Sequence, residues 1–115
     1  MKKLQTPWGV ADHVELVAEG ITWYSTPSHG GYKLSRERNA LVPPYMRIAG
    51  GWYEEDCDWA IVALVFPIVR RNDQHPEQIL EQAKDSLRNW RPEAYQQHYG
   101  VELAAADSYR LRNPR

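Results

Sequence analysis

Short alternating runs of hydrophobic and polar residues fill the first third of the chain. The alternation covers residues 10–18, 21–26 and 32–34, and the breaks between these runs contain glycine or proline. Successive side chains of a strand point to opposite faces, so this pattern predicts half-buried β-strands. Because runs joined by short glycine-containing breaks form hairpins, we predict a small antiparallel β-meander in this part of the chain.

Helical spacing replaces the alternation in the second half of the chain. Pro76 suits the first position of a helix, and a set of apolar residues shares one helical face behind it. This set is Ile79, Leu80, Ala83, Leu87 and Trp90. Pro92 begins a second helix that runs through Tyr99 and ends at Gly100, and residues 108–112 are predicted as a last strand or an ordered extension.

A further short helix is predicted between the meander and the centre of the chain. Ser35 has the side chain of a helix N-cap, and the prolines at 43–44 end the helix after two turns. A polar loop is predicted at residues 70–74.

The central apolar segment has two interpretations. Residues 59–66 are apolar on all sides, which suits a buried helix or a buried strand. Glu54, Glu55 and Asp56 precede the segment, and carboxylates stabilise the N-terminus of a helix through its dipole. We therefore predict a helix that starts at these three acidic residues and is ended by Pro67.

The length and composition are those of one globular domain. The chain has 115 residues, of which 43% are hydrophobic and 25% charged, as in an ordinary folded protein. We predict a single domain over residues 1–115. Its fold class is α+β, with the N-terminal antiparallel β-meander packed against three to four helices.

Charge and cysteine content argue against several classes of protein. The net charge is −1, from 14 basic and 15 acidic residues, whereas a general nucleic-acid binder carries a basic excess. With one cysteine, Cys57, the chain can form neither an intrachain disulfide nor a cysteine zinc cluster, which indicates a reducing compartment. The N-terminus lacks a signal-peptide pattern, and the longest apolar stretch is shorter than the about 20 residues needed to span a bilayer. We expect a cytoplasmic protein with no membrane partner.

Five blocks occur in this order along nearly the whole chain. They are T-P-W-G at 6–9, S-T-P-S-H-G-G-Y-K-L-S at 25–35, G-W-Y-E-E-D-C-D-W-A at 51–60, N-W-R-P-E-A-Y at 89–95 and D-S-Y-R-L-R at 107–112. These blocks resemble a proteobacterial domain of unknown function, number 7007 in the usual series. Members of that family look like accessory proteins of phages, plasmids and other mobile elements. The resemblance implies a role inside a bacterial cell, in the contest between mobile DNA and host defences.

Trp52, Tyr53, Glu54, Glu55 and Asp56 form the predicted partner-binding surface. Exposed aromatic residues dominate interface energetics, and an acidic group can compete for a basic groove meant for nucleic acid. With the family's context, this predicts stoichiometric inhibition of a host protein, such as a CRISPR effector or a restriction enzyme. The alternatives are a hydrophobic staple for the two aromatic residues and dipole complementation for the carboxylates. Because carboxylates on a helix would not all converge, we expect no metal, and we expect no cofactor.

An enzyme is the second hypothesis. Cys57 and His29 are the candidate nucleophile and base of a small hydrolase or modifying enzyme, with Glu54 or Asp58 orienting the imidazole. Neighbouring carboxylates disfavour a thiolate, so no catalytic residue is assigned. A third hypothesis, a nucleic-acid-linked regulator, is opposed by the near-neutral charge.

The sequence Ser28-His29-Gly30-Gly31 also has two interpretations. Its backbone N–H groups could cradle a phosphate. The favoured interpretation is a hairpin turn whose glycines supply positive φ.

Overall fold

The strands of the protein form two antiparallel sheets. The computed structural model describes residues 4–71 and 73–114. The strands are β1 (Gln5–Thr6), β2 (Gly9–Val10), β3 (His13–Ala18), β4 (Ile21–Ser25), β5 (Gly30–Leu34) and β6 (Trp52–Glu54). Strands β1 and β2 form a two-stranded ribbon, and the larger sheet has the order β3-β4-β5-β6.

Helices occupy most of the remaining chain. They are α1 (Arg36–Leu41), α2 (Trp59–Val65), α3 (Ile68–Arg71), α4 (Pro76–Trp90), α5 (Pro92–Tyr99) and α6 (Tyr109–Arg112), with a 3-10 turn at Ala105–Asp107. The α+β prediction is confirmed. No helix in the described ranges combines the length and the apolar character needed to cross a membrane.

Local signals predicted the meander and three of the helices correctly. Strands β3, β4 and β5 fall within or beside the predicted runs, and neighbouring strands pair antiparallel. The Ser35 side chain caps α1 by accepting a hydrogen bond from the N–H of Arg38. Pro76 lies at the start of α4, and Gly100 ends α5 in the left-handed conformation, at φ 63°. The predicted strand or extension at 108–112 is instead the short helix α6, and α3 overlaps the start of the predicted polar loop.

The predicted start of the central helix is wrong. Residues Trp52–Glu54 form β6, the fourth strand of the large sheet, and α2 begins only at Trp59, with no acidic residue in its first turn. Pairing with β5 places Tyr53 on the inner face of the sheet, where it is completely buried in the core. Burying an aromatic side chain contributes up to about 4–6 kcal/mol, whereas a dipole contact contributes about 0.3–1 kcal/mol. The sheet therefore determines the conformation of this segment.

The inner face of the large sheet packs against α2. Ile21, Leu34 and Tyr53 point to this face and are fully buried in the main core cluster. Helix α2 contributes Ile61 and Val62 to the same cluster, and Ala60 and Ala63 are buried beside α4. The prediction that the apolar segment is a buried helix is therefore confirmed for Trp59–Val65.

The outer face of the sheet is covered by aromatic rings instead of a helix. Trp52 lies there, with its ring 5.6 Å from that of Trp8 and 5.1 Å from that of Tyr24, in edge-on geometry in both cases. Lys33 Nζ lies 5.6 Å from the centre of the Trp52 ring. A Cβ on Gly31 would lie only 2.4 Å from the Trp8 ring, so this aromatic layer sits directly on the backbone of β5.

Candidate functional site

Tyr53 is a core residue, which corrects its assignment to an exposed binding surface. Its side chain is fully buried. The hydroxyl donates a hydrogen bond to Asn39 Oδ1 and accepts one from the N–H of Ile48, at 3.0 Å. Burial raises the pKa of this hydroxyl above its ordinary value. Tyr53 therefore joins β6 to α1 and to the segment that follows α1, and it is not available to a partner.

Trp52 is half-buried in the aromatic layer of the outer face. Its ring is already in contact with Trp8, Tyr24 and the ammonium group of Lys33. A ring held on several sides has little conformational freedom to lose. Trp52 can present an edge of its ring to a partner, but its main role is to support the end of β6.

The acidic residues lie where β6 leaves the sheet, next to the β4–β5 turn. Glu54 pairs with Gly31 across the sheet, and the N–H of Glu55 donates to the carbonyl of Gly30 at 2.9 Å. These contacts bring the turn residue His29 close, so that its Nδ1 lies 3.9 Å from Glu54 Oε1. Asp56 completes a group of three, because one potential ligand atom from each of His29, Glu54 and Asp56 lies within 4.8 Å of the others.

Burial and neighbouring carboxylates together raise the pKa of Glu54. Burial is the largest cause, followed by a hydrogen bond and repulsion from Asp56 and repulsion from Asp58, while His29 acts in the opposite direction. The expectation of no metal assumed a helix that separates these carboxylates. That premise is wrong, since a strand end and a hairpin turn bring His29, Glu54 and Asp56 together.

The β4–β5 turn is held by Thr26. Its backbone N–H and its hydroxyl both donate to the carbonyl of His29, at 2.7 and 2.8 Å, and its Oγ1 accepts from the N–H of His29 at 3.1 Å. Gly30 and Gly31 belong to β5 and do not have positive φ, so the predicted reason for these glycines is wrong. Glycine is needed here because there is no space for a side chain: a Cβ on Gly31 would lie 2.5 Å from the carbonyl oxygen of Tyr53.

Cys57 lies in an environment that disfavours a nucleophilic thiolate. Its Sγ donates to Asp58 Oδ1 at 3.7 Å. Burial, then the charges of Asp58 and Glu54, raise the pKa of the thiol to about 11. Arg91 opposes this shift and lies 3.6 Å from Asp58. At neutral pH the thiol is protonated, which weighs against the Cys57–His29 enzyme hypothesis.

A surface cavity of about 540 Å³ lies beside these residues. Glu54, Asp56, Cys57 and Trp90 line it. Trp90 was predicted to lie on the apolar face of α4, but its side chain is 42% exposed, with its ring 4.9 Å from that of Tyr109. The sequence signal that could have indicated exposure is its position at the end of α4, two residues before Pro92. In this cavity two carboxylates adjoin an exposed indole ring.

The family assignment rests on the complete chain. The family model described as Domain of unknown function (DUF7007) matches residues 1–115. The chain belongs to this family. No curated protein and no solved structure gives a match.

The chemistry open to this DUF7007 member follows from the donor and acceptor groups at the cavity. Carboxylates accept charge-assisted hydrogen bonds from cations, and the face of an indole ring attracts the same groups. In residues 4–71 and 73–114, no lysine or arginine forms an ion pair with Glu54 or Asp56. The site is therefore suited to a positively charged group that comes from outside the described chain.

Proposed function

We propose that this protein is a phage or mobile-element accessory protein that inhibits a host defence protein by stoichiometric binding in the cytoplasm of the bacterial cell. The target class is a CRISPR effector or a restriction enzyme. The observation that carries the proposal is the cavity in which Glu54 and Asp56 adjoin the exposed ring of Trp90. The choice of a defence protein as target rests on the family context described for the sequence.

The binding surface in this proposal consists of Glu54, Glu55, Asp56 and Trp90. Glu55 and Asp56 are exposed, and Glu54 is half-buried at the cavity wall. Tyr53 is removed from the predicted set because it is buried. Trp52 remains as a supporting residue, because its contacts with Trp8 and Tyr24 fix the strand from which the acidic segment leaves.

The mechanism is occlusion of a basic groove. Enzymes that cut nucleic acid hold the phosphate backbone with lysine and arginine side chains. One such side chain can enter the cavity, pair with the two carboxylates and contact the Trp90 ring. The exposed Glu55 adds negative charge at the rim, which accelerates association with a basic surface and makes it sensitive to salt.

Charge-matched variants test the surface. The site variant carries Glu54→Gln, Glu55→Gln and Asp56→Asn. The control carries Glu19→Gln, Glu81→Gln and Glu102→Gln, which change the net charge equally at exposed positions elsewhere. Each tagged chain is expressed in a bacterial host that carries an active CRISPR or restriction system. Plating efficiency of a targeted phage reports inhibition, and purification at moderate salt reports the bound protein.

We expect wild type and control to raise the plating efficiency and to retain one defence protein near one-to-one stoichiometry. The site variant should lose both properties while keeping its melting temperature. Equal activity of the two variants would contradict the surface assignment. A wild-type chain that retains no host protein and protects no phage would contradict the proposed function itself.

A further inference from the structure

Three side chains from two separate parts of the chain meet at the end of the large sheet. We infer that His29, Glu54 and Asp56 form a binding site for one divalent transition-metal ion, of which Zn²⁺ is the representative. His29 Nδ1 lies 3.9 Å from Glu54 Oε1, and the potential ligand atoms of all three residues lie within 4.8 Å of one another. This inference does not rest on the proposed function.

The backbone at His29 and Glu54 is held in place by hydrogen bonds before any ion binds. Thr26 holds the turn at His29 by three hydrogen bonds. Glu54 is held by its pairing with Gly31, and the next residue donates its N–H to the carbonyl of Gly30. At these two ligands metal binding therefore needs no change of fold, and the ordering cost is that of the side chains.

The ligand atoms must move closer together to bind one ion, and rotation of the side chains is enough for this movement. Zn²⁺ binds histidine nitrogen and carboxylate oxygen at about 2.0–2.2 Å, so tetrahedral ligand atoms lie about 3.3 Å apart. The separations here, 3.9 Å for one pair and no more than 4.8 Å for any pair, exceed that value by about 1.5 Å at most. The His29 and Glu54 side chains are 48% and 31% exposed, and they are free to close this distance.

The donor set selects the class of ion. Imidazole nitrogen suits zinc, iron, copper and nickel, while carboxylate oxygen alone suits magnesium, calcium and manganese. One imidazole with two carboxylates leaves the fourth position of a tetrahedral ion open to water or to another ligand. That position would face the cavity, because Glu54 and Asp56 line it.

The neighbouring residues define the limits of the site. Asp58 is paired with Arg91 at 3.6 Å and accepts a hydrogen bond from Cys57, so neither residue is assigned as a ligand. Within the described ranges no lysine or arginine pairs with Glu54 or Asp56. A bound cation would therefore relieve the repulsion between these two carboxylates.

Calorimetric titration of the chelator-treated, full chain with Zn²⁺ near neutral pH tests the inference. The variants are His29→Ala, Glu54→Gln and Asp56→Asn. His13→Ala is the matched control, because His13 Nε2 also lies 3.9 Å from a carboxylate oxygen, that of Glu15, but this pair belongs to no group of three in the described ranges. Glu55→Gln is the control for unspecific attraction of cations to the acidic segment.

We expect one Zn²⁺ per chain and an affinity that falls at least tenfold in each ligand variant. Loss of a residue that merely orients a ligand already costs about 10–100-fold in many metal sites, so loss of a ligand should cost no less. The two controls should keep the wild-type affinity. Titration with Co²⁺ should give a visible absorption band that His29→Ala removes.

The inference would be overturned if His13→Ala lowered the Zn²⁺ affinity as much as His29→Ala does. It would also be overturned if Glu55→Gln lowered this affinity as much as Asp56→Asn does, or if the wild-type chain did not bind one Zn²⁺. Circular dichroism of each variant confirms that it is folded. Failure of the metal site is distinguishable from failure of the proposed function, because the titration uses the chain alone and phage protection is scored separately. His29→Ala should weaken metal binding at least tenfold while keeping the carboxylates that a basic partner would contact.

Discussion

The two faces of the four-stranded sheet are built from different kinds of side chains. The inner face presents Ile21, Leu34 and Tyr53 to α2 and seals all three from solvent. The outer face presents Lys33 and Trp52 to a layer of aromatic rings, and both residues stay half-buried. The inner face therefore contributes hydrophobic burial to stability, while the outer face keeps polar and aromatic groups in contact with water.

Strand β6 belongs to both faces and connects them to the candidate site. Its middle residue, Tyr53, enters the core, and its flanking residues, Trp52 and Glu54, point to the outer face. One residue beyond the strand the chain is already exposed at Glu55. The contrast teaches that a core strand positions the site by leading directly into it, although the site residues themselves contribute little to the core.

The largest expected effect separates two neighbours in β5. Leu34→Ala removes a fully buried side chain from the inner face and should lower the free energy of unfolding by about 2–5 kcal/mol. Lys33→Ala removes a half-buried side chain from the outer face and should cost less than about 1 kcal/mol. Urea denaturation of the two variants measures both values. Similar losses would mean that the two faces do not differ as described.

An intermediate effect is expected where the outer face touches the backbone. Gly31→Ala would place a Cβ 2.4 Å from the Trp8 ring and 2.5 Å from the Tyr53 carbonyl oxygen. Overpacking of this kind costs about 1–3 kcal/mol. Trp8→Ala removes the first clash and leaves the second. Thermal or urea unfolding should therefore show that Gly31→Ala costs less stability in a Trp8→Ala chain than in the wild type, but that a cost remains. A Gly31→Ala chain as stable as wild type would argue against the close approach.

Cys57, between the core and the cavity, should have the smallest effect on stability at neutral pH. The thiol is neutral there in the folded and unfolded chain, so its raised pKa contributes no pH dependence below about 8. Above that pH the unfolded chain ionises first, and stability is lost as the pH rises toward the folded pKa of about 11. Alkylation by iodoacetamide near pH 8 should be about 100-fold slower than in the denatured chain, from a pKa difference of about two units.

The pH profile of that alkylation decides whether the Cys57 thiol is activated. Its midpoint should lie near pH 11, and Asp58→Asn should move it down, because the Asp58 charge raises the thiol pKa. Fast alkylation of the native chain at neutral pH would show an activated thiol and would favour the enzyme hypothesis over inhibition by binding.

Local signals in the sequence determined a large part of this fold. The N-cap at Ser35, Pro76 and Pro92 at helix starts and Gly100 at a helix end all act within a few residues, and the structure has helices at these places. The alternation of the first third likewise determined the meander, because the strand period and the short breaks are both local properties.

The tertiary structure alone decided the conformation of β6 and the composition of the site. Residues 52–54 are a strand because β5, about twenty residues earlier in the chain, offers them a pairing edge and a buried position for Tyr53. The meeting of His29 with Glu54 and Asp56 depends on that same pairing. Periodicity and capping act along the chain, whereas these contacts join segments far apart in sequence, and a single sequence carries no local signal for them.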